Sequence, residues 1–248
     1  AGLFEAVLEL ADDQLVLGHR LSEWCGKGPI LEEDLAMSNL ALDLIGQARG
    51  LYAYAGLIEG KGRSEDDLAY LRLERDYRNC LLVEHANEDF AHTMLRQLYF
   101  AAFMQPYWQA ALVSQDETIA GIAGKAVKEM AYHLRHAAEW VIRLGDGTEE
   151  SAERMRAAVA ELSAYTEELF HMSDAAKAAA ATSALPDRAA LRTIWQQTIA
   201  SVFAEAHLAL PEVKFPQFGG RAGRHGEEMG HLLAELQYVQ RTHPGLTW

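Results

Sequence analysis

Between residues 119 and 144, one helix face is spelled out in steps of three and four: Ile119, Ile122, Ala126, Met130, His133, Ala137, Val141 and Leu144. A helix turns about 100° per residue, so these side chains share one side and Met130 and His133 point into a core. Gly145-Asp146-Gly147 ends the run and Thr148-Glu149-Glu150 opens another. Glycine accepts the left-handed conformation at a helix end, and acids favour a helix start. Comparable patterning predicts helices over residues 3–25, 31–59, 65–78, 88–115, 117–144, 148–182, 187–209 and 226–242. No segment shows the period of two expected of a strand.

The 31–59 segment carries two neighbouring stripes, Leu44, Ala48, Leu51, Ala55, Ile58 and Leu42, Ile45, Arg49, Tyr52. Two stripes predict a helix buried over more than half its circumference. Pro106 is expected to bend the 88–115 helix. Gly60-Lys61-Gly62-Arg63-Ser64 reads as a turn, and the alanine-rich run 175–184 stops at Pro186-Asp187. The longest irregular stretch covers about residues 211–226. No linker or internal repeat divides the chain, so residues 1–248 read as a single domain. Long helices on short turns make that domain all-α: a ferritin-like four-helix bundle with additional C-terminal helices packed outside.

Bundles of this kind can build a di-iron centre from one carboxylate on each of two helices and Glu-x-x-His on each of the other two. Oxygen-activating iron needs such hard donors and an open coordination position. Here the 117–144 helix offers Met130-x-x-His133. Glu129 lies about 100° away around the helix and does not replace the missing carboxylate. A lone core-facing histidine reads either as a hydrogen-bonded structural residue or as a ligand. The 31–59 helix has no histidine, and Asp43 is followed three residues later by Gly46. Arg49 on its apolar stripe is either a snorkelling cation or a buried one, paired with carboxylates where a metal would otherwise sit. From Phe90 to Gln115 there is no Asp or Glu at all. Asp12 and Asp13 of the first helix could face core or solvent.

Other polar groupings read more plainly. Glu84, His85, Glu88, Asp89 and His92 surround a helix start, as do His225, Glu227, Glu228 and His231; both read as capping and dipole-complementing groups. His19 and Glu23 have the spacing of an ordinary i,i+4 pair. Gly219-Gly220-Arg221-Ala222-Gly223-Arg224 reads as a surface loop and a candidate partner contact, since no strand precedes it to make a nucleotide fingerprint.

Composition narrows the partners. A net charge of -14 repels phosphate backbones and anionic lipid, which argues against nucleic acid and membrane surfaces. Cys25 and Cys80 lack metal-ligand spacing and suit a reducing cytoplasm. Ala1-Gly2-Leu3-Phe4-Glu5 lacks the basic start of a signal peptide.

Several separate motifs share one resemblance. Leu42-Asp43-Leu44-Ile45-Gly46-Gln47-Ala48-Arg49, Lys128-Glu129-Met130-Ala131-Tyr132-His133-Leu134-Arg135 and residues 233–241 resemble the structural subunits of bacterial phenylacetyl-CoA 1,2-epoxidases, as do residues 21–26 and 244–248. The resemblance implies a ferritin-like, non-catalytic subunit of a multicomponent monooxygenase acting in aerobic phenylacetate breakdown. A homologous catalytic subunit would hold the di-iron centre, and a reductase would bring electrons from NADPH. This chain would hold no cofactor, pairing with the catalytic subunit as a heterodimer or higher assembly and meeting other subunits of the complex. In isolation it could form a homodimer. Gly46, Arg49, Met130 and His133 would stand where the catalytic relative carries its two Glu-x-x-His pairs. Phe103, Tyr107 and Trp108 are candidates for the interface or for the internal core. A divergent di-iron oxidase with unfamiliar ligands, and a self-contained homodimeric scaffold, are the alternative functions.

Overall fold

The computed structural model describes residues 2–246, and no strand occurs among them. The helices are α1 (Gly2–Ser22), α2 (Leu31–Glu59), α3 (Glu65–Tyr70), α4 (Leu81–Glu84), α5 (Phe90–Ala111), α6 (Glu117–Gly145), α7 (Glu149–Leu162), α8 (Asp174–Ala181), α9 (Arg192–Glu205), α10 (Glu227–Leu236) and α11 (Tyr238–Thr242). The class is all-α and ferritin-like. Two compact units are present: one comprises the chain up to Ala86 and again from Gly219, the other runs from Asn87 to Phe218.

The first unit is built on α1 packed along α2. Gly18 sets their spacing, since a Cβ there would sit 2.9 Å from Cγ1 of Ile45 and 3.3 Å from the carbonyl oxygen of Ala41. Gly60 closes α2 in the left-handed conformation, and Ser64 and Asp67 cap α3 reciprocally. The two-stripe expectation for α2 fails. Its buried positions, Glu33, Met37, Leu40, Ala41, Leu44, Gln47, Ala48, Leu51, Tyr52, Ala55 and Gly56, lie on one side, while Leu42 and Arg49 face outward. The predicted 65–78 helix also stops early, at Tyr70. Arg72 and Tyr77 turn inward just beyond it and hold the following chain in irregular, hydrogen-bonded form.

The second unit is built on α5 packed along α6. Buried positions of α6 are Ile119, Ala123, Ala126, Met130, His133, Ala137 and Val141, close to the stripe expected from sequence. Thr148 caps α7 as predicted. α5 continues through Pro106 and is buried without a break from Thr93 to Met104. Phe103, Tyr107 and Trp108 are fully internal: Phe103 packs edge-on against Phe170, and Tyr107 edge-on against Trp108. They are core residues and offer no surface to a partner. The predicted 148–182 helix is broken. α7 gives way to a 3-10 stretch, Ser163–Phe170, which seats Leu169 and Phe170 in the core, and Ser173 then caps α8 afresh.

Candidate functional site

Within the second unit, α6 carries Met130 and His133 one turn apart, both with no exposed surface. Opposite them on α5 stands Gln97, whose side-chain nitrogen lies 3.0 Å from Nδ1 of His133. An amide nitrogen can only donate, so Nδ1 accepts and a neutral ring carries its proton on Nε2. The Gln97 Oε1 atom is buried without a hydrogen-bond partner among the described residues. Gln97 was not among the candidates drawn from the sequence. The available signal was an amide side chain in the middle of an acid-free helix, across from the predicted core position of His133. Nothing acidic on α5 reaches this place, since the helix has no Asp or Glu.

In the first unit, Gly46 is exposed and the Arg49 side chain is 76% exposed, its Nε 3.3 Å from Oε1 of Glu65. The buried-arginine reading of Arg49 is therefore overturned. Gly46 and Arg49 lie on the outer side of α2, away from the core.

The buried arginines are others. Asp12 and Asp13, left open by the sequence, both face the core. Asp12 binds Arg72, accepts from the Tyr52 hydroxyl and takes the backbone N–H of Arg78. Asp13 accepts from Arg221 at 2.7 Å and from the N–H of Cys80 at 2.7 Å. Burial and the Asp12 carboxylate together push the Tyr52 hydroxyl well above its usual range. Burial works against the charges of Arg72 and Arg221, but Asp12 and Asp13 outweigh it and keep both firmly protonated.

Arg221 thus corrects the surface-loop reading of residues 219–224: its guanidinium also donates to the carbonyls of Glu9 and Arg78. At Gly220 a Cβ would sit 2.0 Å from the Asn79 carbonyl oxygen, so only glycine admits the approach. Glu84 is a further correction, buried rather than a surface cap. It accepts from His225, Asn79 and the N–H of Gly226. Burial disfavours the His225 charge, but the Glu84 carboxylate overcomes this and raises its pKa. Glu23 pairs with Arg20 at 2.9 Å, whereas His19 is driven down to a pKa of about 4 by burial. His92 sits between Asp89 and Glu161 at the start of α5. Among the described residues, no three His, Cys, Asp or Glu side chains gather closely enough to hold a metal ion.

The sequence matches the family described as phenylacetic acid catabolic protein over residues 1–248. The chain belongs to this family. It is also similar to one of the subunits of 1,2-phenylacetyl-CoA epoxidase from Escherichia coli (strain K12), with 42% identity over 241 residues, covering 97% of each chain. The family resemblance carried by the α2, α6 and C-terminal motifs is therefore upheld. Of the last of those motifs, residues 244–248, Thr247 and Trp248 lie outside the described residues. Membership fits the helical architecture, and no described helix is long and apolar enough to cross a membrane.

Proposed function

We propose that this family member is a structural, non-catalytic subunit of a phenylacetyl-CoA 1,2-epoxidase complex. It would work in the cytoplasm and support a homologous catalytic subunit that holds the di-iron centre. The observation that carries the reading is the Met130–His133–Gln97 arrangement. A thioether stands one turn before the histidine, and an amide N–H is directed at the imidazole nitrogen a metal could have used. These donors do not fit a di-iron centre, which needs several hard carboxylate oxygens around the metals. Asp12 and Asp13 are engaged by arginines. On this reading Gly46, Arg49, Met130 and His133 are former ligand positions, and the chain carries no cofactor of its own. Its contribution would be mechanical: iron ligands must be held within about half an ångström, and a large shared interface can supply that support.

Co-expression with the catalytic subunit tests this. The expected result is a stable mixed complex that epoxidises phenylacetyl-CoA, and that keeps its activity when His133 is changed to Gln. Loss of turnover in the His133→Gln complex, with the complex intact and folded, would count against the reading.

A further inference from the structure

We propose that a cleft in the second unit binds a small organic ammonium ion with an aromatic body. The cleft has a volume of about 600 Å³, within the range of small-molecule sites, and is lined wholly by residues of that unit. Tyr99 of α5, Trp195 and Ile199 of α9, and Leu210 and Val213 of the segment after α9 form its apolar walls. The two aromatic rings are held in place. Their centroids lie 5.6 Å apart, Trp195 packs edge-on against Phe170, and the indole Nε1 donates to the Tyr99 carbonyl at 2.9 Å. A flat apolar body can therefore be received without first ordering these walls.

The polar groups of the lining decide the ligand's head. The Ser163 hydroxyl donates to the Val159 carbonyl at 2.6 Å, because that oxygen can only accept. Its single proton is then spent, so the Tyr99 hydroxyl, 2.9 Å away, donates to Ser163. Burial raises the Tyr99 pKa, which keeps that proton in place. Thr166 donates to the Ser163 carbonyl at 2.8 Å. These buried side-chain donors are thus used inside the protein, and the lone pairs that remain can only accept. Glu167 adds a carboxylate. One of its oxygens accepts from Arg192 at 2.7 Å, but that arginine is not part of the lining, and a carboxylate offers about four acceptor positions. Thr193, Gln196 and Gln197 are exposed and uncharged. Acceptors, a carboxylate and two aromatic rings suit a cation that donates hydrogen bonds and sits against a ring face. An organic anion meets no unspent donor among Tyr99, Ser163, Thr166 and Trp195, and the protein's net charge of -14 repels it.

Ligand-observed NMR titration of the purified chain with benzylamine, benzyl alcohol and benzoate, three probes of similar shape, tests the proposal with no dependence on the scaffold reading. Benzylamine, charged at neutral pH, should bind saturably with a dissociation constant of about 1 mM or below. Benzyl alcohol should bind roughly tenfold more weakly, and benzoate not measurably. Glu167→Gln should cost benzylamine roughly tenfold in affinity and leave benzyl alcohol unchanged. Its melting temperature should stay within error of wild type, because the Glu167–Arg192 pair is partly exposed and contributes little. Ala200→Trp, which fills the cleft from α9, should abolish binding of both probes. Benzylamine binding that survives both substitutions would lie elsewhere on the acidic surface and would overturn the proposal. So would equal affinity for the alcohol and the amine, or no saturable binding of benzylamine.

Discussion

Asp13 and Arg221 lie 208 residues apart in sequence and form a fully buried, bidentate ion pair. Removing one partner of such a pair strands a charge away from water. Arg221→Met is therefore expected to lower stability by about 3–5 kcal/mol in urea unfolding. Arg49→Met should stay within about 0.5 kcal/mol of wild type, because an exposed arginine facing one glutamate contributes little. His19 supplies a pH dependence of definite sign. Its folded-state pKa, about 4, lies below the unfolded value of 6.5. The unfolded chain thus binds more protons between those pH values, and stability present above pH 6.5 is lost as pH falls toward 4. The loss should be about 1–3 kcal/mol and should disappear in His19→Gln, as read from chemical denaturation at stepped pH. His225 acts in the other direction. Its raised pKa favours the folded state at low pH, and that contribution fades as pH climbs through the folded-state value.

At the scale of helices, the legible elements were those with a single buried face. α6 shows one stripe, so its periodicity alone identified Met130 and His133 as core positions. α2 misled because leucines occupy both of its sides, and residue type cannot say whether a leucine faces its own core or leaves the chain exposed. α5 was readable as acid-free, yet Gln97 among its polar side chains went unnoticed because the significance of an amide depends on the histidine across from it. Arg72 and Arg221 were unreadable for the same reason: Asp12 and Asp13, which make their burial tolerable, are distant in sequence. The break after α7 was hidden by alanine-rich, helix-favouring composition, and was decided by the burial of Leu169 and Phe170. Ser173 then starts α8 by accepting from the N–H of Ala176 at 3.0 Å. Ser173→Ala should cost about 1 kcal/mol in thermal unfolding.

For the whole molecule, the proposed function rests on the four positions it takes as former ligand sites. Met130 and His133 are packed in the second unit and Gly46 and Arg49 are turned outward in the first, and the proposed reading takes the chain to have a part in assembly and none in oxygen chemistry. The most direct measurement is iron content by elemental analysis, made on the chain purified alone after growth in iron-rich medium and on its complex with the catalytic subunit. The account predicts far less than one iron per chain in isolation, and about two per catalytic subunit in the complex, as expected for a di-iron centre. Two irons held stoichiometrically by this chain alone, with the absorption band of an oxo-bridged pair, would contradict it.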